Sequence, residues 1–221
     1  MKNKFNYRSK CIVCKNHKII NIIELGEQPF ADTFIPTNRI DEKESVYPLI
    51  CQLCKDCKNI QLKHITNPNL RYNDYEYSYT SSNSNFATSH WDDFFLKIKK
   101  KYKINKDTKI LEIGSNDGYL LNNFKSITKN IVGLDASKKM TLVSAKKDIF
   151  SKNGILNNNS KKLITKKFKK FDLIIANNVV NHMDNLISSL RIVKSLLKNN
   201  GSFIFEQPYW LDTIQTKRYD Q

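Results

Sequence analysis

The segment Ile110-Leu-Glu-Ile-Gly-Ser-Asn-Asp-Gly118 constrains the fold of this chain more than any other feature. A short apolar run leads directly into Gly114, and Gly118 precedes the apolar run Tyr119-Leu-Leu. A strand that turns on a glycine and enters a helix is typical of open parallel α/β sheets, which bind ligands beyond the carboxyl ends of their strands. Gly114 allows the sharp turn, and Gly118 allows the helix to pack closely on the strand.

Strands and helices are predicted to alternate around this segment. Their order indicates an α/β fold with a doubly wound parallel sheet. A separate helix is predicted at 86–101, with Phe94, Phe95 and Ile98 on one face. The predicted strands are 109–113, 130–134, 154–156, 171–176 and 201–205, and the predicted helices of the sheet are 119–124, 138–149 and 186–198.

Acidic residues follow the first two predicted strands of the sheet. Glu112 precedes the glycine turn and suits a cationic ligand such as S-adenosylmethionine, because a carboxylate attracts a positive charge strongly in a partly dry site. The segment lacks the G-x-G-x-x-G pattern and a phosphate-binding lysine, which disfavours dinucleotides and nucleoside triphosphates. Asp135 lies about 20 residues beyond the glycine, a spacing suited to ribose hydroxyls. A helix N-cap is the alternative role for Asp135.

Polar residues also follow the later strands. Asn177 ends the predicted strand at 171–176, and the loop after it reaches His182. In this fold class the loop faces the methionine half of the cofactor and the substrate, so His182 is a candidate for polar contacts near the methyl group. An ordinary structural histidine is the alternative. Glu206, at the end of the next strand, is a similar candidate.

Two C-x2-C pairs near the start of the chain predict a structural zinc site. Tetrahedral zinc takes four soft ligands, and four thiolates leave no open position for catalysis. Disulfides and a thioredoxin-like redox motif are the alternatives, but nothing in the sequence indicates an oxidising compartment. The predicted ligands are Cys11, Cys14, Cys54 and Cys57.

Three nearby residues are not assigned to the metal. Cys51 forms a further C-x2-C spacing with Cys54, but it continues an apolar alternation and is interpreted as a strand residue. His17 and His64 are interpreted as surface or capping residues, because four cysteines complete the site without them.

The formal net charge of +16 raises the hypothesis of a nucleic-acid partner. The lysines are scattered among asparagines, however, which favours a compositional bias and a solvated basic surface. No apolar stretch has the length of a membrane span, and none follows the basic first ten residues as a signal peptide would require. A cytoplasmic protein without membrane or nucleic-acid partners is therefore expected.

Taken together, these motifs resemble the sugar C-methyltransferases of deoxysugar biosynthesis. The resemblance covers the whole chain in order and implies a zinc-binding module at 1–66, a connecting segment and helix with substrate contacts at 67–104, and a Rossmann-like S-adenosylmethionine-binding domain at 105–221. The matching segments are Cys11-x2-Cys14, Leu25-Gly26-x2-Pro29, Cys54-x2-Cys57 with Gln61-Leu62, Tyr79-Thr-Ser-Ser-Asn-Ser84, Leu111 to Gly118, Gly133-x-Asp135, Asn177-Asn178 to His182, and Glu206-x-Pro208-Tyr209.

The resemblance implies a reaction on a nucleotide-linked keto-sugar. The sugar is deprotonated next to its carbonyl, which requires a base, and the enolate attacks a methyl group held in line with it. Tyr79 and His182 would line the substrate side of the site. The residues implied on the cofactor side are Glu112, Gly114, Asn116, Asp117, Gly118, Asp135 and Asn177.

Members of that family are longer and continue into a Tyr-x-Glu-His segment that would supply the base, followed by a further domain. The chain reaches Tyr219-Asp220-Gln221 without them. A truncated or split form is therefore expected, lacking the last strands of the sheet and needing a complementary C-terminal half or a homo-oligomeric partner.

Three other functions stay open from the sequence. A methyltransferase could act on another small-molecule acceptor, because the cofactor motif does not identify the substrate. A catalytically silent module that binds zinc and S-adenosylmethionine is the second. A zinc-ribbon protein that uses the basic charge to bind nucleic acid is the third.

Overall fold

The computed structural model describes residues 5–74 and 76–217 and divides the chain into two compact units. The first unit comprises Met1–Ser78, Asp184–Ile187 and Pro208–Gln221, and the second comprises Tyr79–Met183 and Ser188–Gln207. The outer ends of the predicted modules, including Tyr219-Asp220-Gln221, lie outside the described residues.

The first unit is built mainly from short antiparallel strands. Its strands are β1 (Phe5–Tyr7), β2 (Ile19–Gln28), β3 (Thr33–Phe34), β4 (Tyr47–Cys54), β5 (Ile60–Leu62), β6 (His64–Thr66) and β7 (Glu76–Tyr77). In the three-stranded sheet, β4 lies between β2 and β5, while β1 pairs with β6 and β3 with β7. A 3-10 turn spans Thr37–Arg39, and a π-helical turn spans Leu70–Asp74.

Few apolar side chains are buried in the described part of the first unit. Tyr47 is the largest of them, and its ring stacks on Phe30 with centroids 4.4 Å apart. Cys11, Cys51 and Cys54 are the other buried apolar residues there. A module with so small a core is usually stabilised by a metal or by disulfides. The fold of this unit is therefore expected to depend on its cysteines.

The second unit is an open parallel α/β sheet, which confirms the predicted fold class. The strands lie in the order β10-β9-β8-β11-β12, and all are parallel. The elements of this unit are α1 (Asn85–Tyr102), β8 (Ile110–Ile113), α2 (Tyr119–Lys125), β9 (Ile131–Asp135), α3 (Lys138–Ala145), β10 (Phe150–Asn153), α4 (Asn158–Ile164), β11 (Phe171–Ile175), a 3-10 turn (Val180–His182), α5 (Leu186–Leu196) and β12 (Leu197–Ile204). A last helix, α6 (Trp210–Thr216), falls within the first unit.

Strand alternation divides the core of the second unit into two clusters, one on each face of the sheet. On one face, Ile110 and Leu173 pack with Trp91 of α1 and Phe124 of α2. On the other face, the strand residues pack against α4 and α5, and the cluster includes Leu111, Val132, Leu134, Ile164, Ile174, Val193 and Leu196. The nearly continuous burial of the strands explains why their sequences read as apolar runs.

Helix α1 begins at an N-cap that the sequence supplies. The side chain of Ser84 accepts a hydrogen bond from the backbone N–H of Ala87, and the helix ends where Lys103 adopts a left-handed conformation. The predicted apolar face is present, since Ile98 is buried and Phe94 and Phe95 are partly buried against the same cluster. No helix in the described ranges is long and apolar enough to cross a bilayer.

The predicted third strand at 154–156 is wrong, because β10 lies four residues earlier. Helix α3 ends at Ala145, and Asp148 adopts a left-handed backbone with φ 54°, which a continuing helix does not allow. Ile149, predicted as the end of the helix, therefore lies outside it, and Phe150 begins β10. Strand β12 also begins earlier than predicted, at Leu197, with an irregularity in its pairing opposite β11.

Candidate functional site

The register of the sheet aligns the carboxyl ends of four strands. Glu112 in β8 lies opposite Gly133 in β9 and opposite Ile175 in β11. Ile175 in turn lies opposite Ile204 in β12. Two residues beyond these positions, the segments that leave the four strands place four residues side by side, here called the row. In the order of the strands β9, β8, β11 and β12, they are Asp135, Gly114, Asn177 and Glu206.

Backbone hydrogen bonds continue the pairing into this row. The N–H of Gly114 donates to the carbonyl of Leu134 at 2.7 Å, and the N–H of Asn178 donates to the carbonyl of Glu206 at 2.7 Å. With neighbouring strands about 4.8 Å apart, the row extends over about 14 Å. Because side chains alternate between the faces, the row belongs to the face that α1 and α2 cover.

Gly114 and Gly118 shape the turn between β8 and α2. Gly114 has φ 72°, and a Cβ atom there would lie 2.1 Å from Cγ2 of Val179. Gly118 has φ 77°, and a Cβ atom there would lie 2.5 Å from Oγ of Ser144. Only glycine satisfies both the left-handed backbone and the close approach. The turn is therefore packed closely against the side chains of Val179 and Ser144, which fixes its main chain at the carboxyl end of β8.

The buried carboxylate of Glu112 lacks a hydrogen-bond partner for Oε2 among the described residues. Burial, together with the charges of Asp135 and Asp117, raises the pKa of this carboxyl well above its ordinary value. Both polar atoms of the Asn177 amide are also buried without a partner in the described chain, as is Oγ of Ser115. Buried polar groups are normally hydrogen-bonded, so these atoms are suited to contact a polar, cationic ligand.

Asp135 keeps both carboxylate oxygens in contact with the main chain. Oδ2 accepts from the N–H of Asn116 at 2.8 Å, and Oδ1 accepts from the N–H of Ser137 at 2.7 Å. Each oxygen retains a lone pair for a ribose hydroxyl. Burial raises its pKa, although the two N–H groups lower it. The alternative role of Asp135 as a helix N-cap is wrong, because Ser137 caps α3 and accepts from the N–H of Met140.

Asn116 and Asp117 use their side chains to hold the segment 79–82. Oδ1 of Asn116 accepts from the N–H of Ser81 at 3.0 Å, and its Nδ2 donates to the carbonyl of Tyr79 at 3.1 Å. Oδ2 of Asp117 accepts from the hydroxyl of Ser82 at 2.5 Å. Oδ1 of Asp117 also accepts from the first helical N–H of α2 at 3.2 Å. Both residues thus connect the glycine turn to the segment that precedes α1.

The two predicted substrate-side residues lie on segments attached to this turn. Tyr79 is joined to it through its carbonyl, and its side chain is half-buried. His182 is exposed at the end of the 3-10 turn that follows Asn177, with Nε2 3.4 Å from Nδ2 of Asn181. Val179 connects this second loop to the site, since it packs directly on Gly114.

Two residues of α1 near the site were not predicted from the sequence. Nε2 of His90 lies 2.9 Å from Oε1 of Glu206. The ring of His90 also meets Trp91 edge-on, and the indole N–H of Trp91 is buried without a partner in the described part of the chain. Helical periodicity marks Trp91 as a core residue, but no local pattern connects His90 to Glu206, which lies 116 residues away.

In the first unit, the four predicted cysteines form one cluster. Their Sγ atoms all lie within 4.8 Å of one another. The Sγ distances are 3.5 Å between Cys11 and Cys57 and 3.5 Å between Cys14 and Cys54, and no disulfide joins them. Tetrahedral zinc with Zn–S bonds of about 2.3 Å separates its sulfurs by about 3.8 Å. The cluster fits such an ion, and Cys51 is not part of it.

The two cysteine pairs form nearly identical knuckles. In each, the N–H of the first cysteine donates to an asparagine carbonyl, from Cys11 to Asn16 and from Cys54 to Asn59. The lysine after the second cysteine has a left-handed backbone in both, with φ 65° at Lys15 and 62° at Lys58. The repeated sequence C-x2-C-K-N is the signal for this shared conformation.

The thiols of the cluster differ in acidity. Backbone N–H groups of Cys57 and Asp56 lower the pKa of Cys54 to about 7, although burial opposes them. The N–H of Asn16 lowers the pKa of Cys14, but burial and the other thiols outweigh it and bring the value to about 12. Thiols so close together cannot all lose their protons without a cation, and zinc supplies that charge.

Comparison with known families separates the two parts of the chain. Residues 11–72 match a family described as "Putative zinc binding domain". Residues 85–220, more than half of the chain, match the family described as "Methyltransferase domain". The chain belongs to this methyltransferase family. The predicted order of a zinc module followed by a Rossmann-like methyltransferase domain is confirmed.

Individual relatives of this methyltransferase chain are distant. It is 20% identical over 211 residues to the C-methyltransferase NovU of Streptomyces niveus, covering 96% of this chain and 50% of that protein. It is 31% identical over 106 residues to the ubiquinone biosynthesis O-methyltransferase of Pelagibacter ubique (strain HTCC1062), covering 48% of this chain and 44% of that protein. The chain therefore spans about half the length of these relatives or less.

Among solved structures, an S-adenosylmethionine-dependent methyltransferase from Clostridium acetobutylicum ATCC 824 is 22% identical, with a TM-score of 0.46. The alignment covers 61% of this chain and 55% of that one.

Substitution of one knuckle cysteine is expected to abolish zinc binding. Cys57→Ser removes a thiolate ligand, and structural zinc contributes roughly 10–16 kcal/mol of binding free energy that is also folding free energy. Metal analysis should give one zinc per wild-type chain and much less for the variant, with earlier unfolding of the first unit. Cys51→Ala is the matched control, and equal zinc loss in both variants would contradict the assigned ligand set.

Replacement of the buried carboxylate is expected to stabilise the ligand-free protein and weaken cofactor binding. Because its folded-state pKa is raised, Glu112 keeps a proton when folded at pH values where the unfolded chain has lost it. The free energy of unfolding therefore falls as pH rises from the ordinary pKa of a glutamate through the folded value. Glu112→Gln should reduce that fall, raise Tm at neutral pH, and weaken S-adenosylmethionine binding roughly 10- to 100-fold.

Asp172, at the amino end of β11, provides the control for this change. Burial opposes ionisation there, but Lys198 and the N–H of Lys109 lower its pKa. Its stabilising effect is present above the ordinary pKa of an aspartate and is lost as pH falls through the folded value. Asp172→Asn should therefore lower Tm at neutral pH and leave cofactor affinity unchanged. Calorimetry that shows wild-type affinity for Glu112→Gln would exclude a cofactor contact.

Loss of the Asn116 side chain is expected to release the segment 79–82. Asn116 has φ 47°, so glycine removes the side chain without adding backbone strain. In Asn116→Gly, hydrogen exchange of the Ser81 amide should accelerate about fivefold to tenfold, as one hydrogen bond contributes about 1 kcal/mol. Ser82→Ala removes only the neighbouring contact to Asp117 and should leave Ser81 protected. Unchanged exchange in Asn116→Gly would show that other contacts hold the segment.

Proposed function

We propose that this chain forms the zinc-binding and cofactor-binding part of an S-adenosylmethionine-dependent methyltransferase that acts on a carbon next to the carbonyl of a nucleotide-linked keto-deoxysugar. The observation that carries the proposal lies at the carboxyl edge of the sheet, where Glu112 and Asn177 have buried polar atoms without partners among the described residues, beside the turn from Gly114 to Gly118. The similarity to the C-methyltransferase NovU along almost the whole chain supports methylation of a carbon atom. The sugar acceptor rests on the resemblance of the sequence motifs to those of sugar C-methyltransferases.

The row gives each part of the cofactor a distinct protein partner. S-adenosylmethionine, when bound, supplies an electrophilic methyl group on a positively charged sulfur. Asp135, at one end of the row, would accept hydrogen bonds from the ribose hydroxyls of the cofactor. Glu112, once ionised, would attract the cationic methionine half from a buried position where the attraction is little screened. The amide of Asn177 can donate to a carboxylate and accept from an ammonium group.

The acceptor is proposed to lie beside Tyr79 and His182. The segment 79–82 is fixed to the glycine turn by Asn116 and Asp117, so Tyr79 stays in register with the cofactor loop. Methyl transfer requires the attacking atom and the methyl group to be held in line, and a rigid attachment of this kind reduces the entropy lost on binding. Asn116 and Asp117 are thus proposed to support the cofactor loop and to position the substrate segment.

The zinc module is proposed to be structural. Four thiolates fill the tetrahedral coordination of zinc and leave no position for a substrate. Such thiolates persist in a reducing compartment, which fits a cytoplasmic location. Because the relatives are longer, the proposed activity is that of the whole protein, to which a further segment or a second copy could contribute.

A different small-molecule acceptor is the second candidate function. The 31% identity over 106 residues to an O-methyltransferase of ubiquinone biosynthesis favours it. Both candidates use the same cofactor row, and they differ in the acid–base chemistry at the acceptor. A phenol loses its proton readily, whereas a carbon next to a carbonyl requires a positioned base.

Calorimetry and a methyl-transfer assay should distinguish these functions. The chain is expected to bind S-adenosylmethionine, and Asp135→Asn should weaken the affinity roughly 10- to 100-fold through loss of charged hydrogen bonds. Asp148→Asn, at an exposed position, is the matched control. Transfer of a labelled methyl group to a 4-keto-6-deoxy nucleotide sugar, and not to a catechol, supports the sugar acceptor.

The reverse preference in that assay would favour the second function. Cofactor binding without transfer to either acceptor, with or without the remainder of the protein, would identify a silent module. Absence of cofactor binding by folded, zinc-loaded protein would refute both candidate functions.

A further inference from the structure

Helix α1 and the segment after β12 are joined by a histidine–carboxylate pair at the Glu206 end of the row. Nε2 of His90 lies 2.9 Å from Oε1 of Glu206, and both side chains are partly exposed, at 45% and 39%. The pair therefore lies where a solvent-borne substrate can reach it.

The register of the sheet places this pair relative to the cofactor. Glu206 stands next to Asn177 in the row, about 4.8 Å further from Asp135. With the ribose at Asp135 and the methionine half near Asn177, the next position along the row is the side from which an acceptor approaches the methyl group. This placement rests on the proposed function, because it uses the proposed orientation of the cofactor.

The two side chains face the same side of the sheet. Trp91, the neighbour of His90, is buried with Leu173 and Ile175 in the cluster between α1 and the sheet. Glu206 lies two residues after Ile204, so in an extended segment both side chains point to the same face, and Ile204 packs against that cluster. The packing of Trp91 and Ile204 in one cluster thus brings together the two segments that carry His90 and Glu206.

We propose that His90 and Glu206 form an acid–base dyad that removes the proton from the acceptor atom before methyl transfer. The Nε2–H of the neutral imidazole donates to the carboxylate, which leaves the lone pair of Nδ1 available as the base. The carboxylate orients the ring and stabilises the imidazolium that forms. His90 is the catalytic residue in this proposal, and Glu206 is its positioning residue.

The proton and electron balance is simple for a carbon acceptor. The C–H bond next to the carbonyl breaks, its proton moves to Nδ1 of His90, and its electron pair forms the enolate. The enolate carbon then bonds to the methyl carbon, and the electrons of the broken carbon–sulfur bond remain on sulfur as a thioether. The imidazolium returns its proton to water. The chain would thus contain its own base, whereas the family resemblance implies one in a later segment.

A purely structural role for the pair is the competing explanation. Exposed ion pairs contribute little to stability, and α1 is already anchored by the buried Trp91 and Ile98. Asp92, on the same helix, offers a matched comparison, because its Oδ1 accepts from the hydroxyl of Tyr119 at 3.1 Å and from Nδ2 of Asn123 at 2.7 Å. It fastens α1 to α2 without touching the dyad.

Solvent-deuterium exchange tests the dyad separately from methyl transfer. The full chain is incubated in D2O with S-adenosylhomocysteine and a 4-keto-6-deoxy nucleotide sugar, and NMR follows deuterium at the carbon next to the carbonyl. His90→Gln should slow exchange and methyl transfer roughly 100- to 10,000-fold, the usual contribution of a general base. Glu206→Gln should slow both about 10-fold or more and change their pH dependence. Asp92→Asn should change neither.

The cofactor affinity and the thermal unfolding of each variant separate catalysis from structure. We expect all three variants to bind S-adenosylmethionine as the wild type does. Wild-type exchange and methyl transfer in His90→Gln would overturn the dyad and leave the proposed function intact. If that variant fails to fold, His90→Asn and Glu206→Gln decide in its place. A wild-type chain that binds the cofactor but exchanges no proton at that carbon would overturn the dyad. Failure of methyl transfer to the sugar by the whole protein as well would overturn the sugar acceptor.

Discussion

The parallel pairing of β8 with both of its neighbours is the interaction on which the site depends. Its register sets Asp135, Gly114 and Asn177 at one level, and strand alternation turns them toward α1 and α2. A slip of one residue in β8 would turn Glu112 to the opposite face and Leu111 to the ligand. The buried apolar residues of the strands fix this register. They therefore determine whether the polar row forms, although they are not polar contacts for a ligand themselves.

The acidic residues at this edge of the sheet destabilise the ligand-free fold by an electrostatic and desolvation cost that a cationic ligand can offset. Glu112, Asp117 and Asp135 share one buried region, and their mutual repulsion adds to the desolvation of Glu112. The raised pKa of Glu112 favours its uncharged form in the ligand-free fold, while Asp117 is balanced by Lys147 at 3.3 Å. A positive charge bound beside Glu112 would reverse that preference and release the proton. Cofactor binding, proton release and stability are therefore coupled through one carboxyl group.

The sequence predicted those parts of the molecule that depend on neighbouring residues. The buried runs around 110–113 and 171–175 identified the central strands, and the two C-x2-C spacings identified the cluster of thiols. The prediction for residues 146–153 was wrong because the apolar pair Ile149-Phe150, which follows a charged run, fits the end of a helix as well as the start of a strand. Only the left-handed backbone of Asp148 distinguishes the two possibilities. Contacts such as Asn116 with Tyr79, or His90 with Glu206, join distant segments and leave no local pattern.

The two units are stabilised in different ways, one by an apolar core and the other by a metal. They are therefore recognised in the sequence by different patterns, apolar runs in one and cysteine pairs in the other. The second unit buries two apolar clusters and can therefore keep a few polar atoms unpaired at its strand ends. The first unit buries few apolar side chains, so its stability must come from bonds to a metal, and a fully coordinated metal cannot also act on a substrate. Chemistry is consequently confined to the unit whose hydrophobic core offsets the cost of the unsatisfied groups. The proposed dyad of His90 and Glu206 adds little to that cost, because its side chains are partly exposed and lose little hydration. The same exposure allows them to exchange protons with solvent.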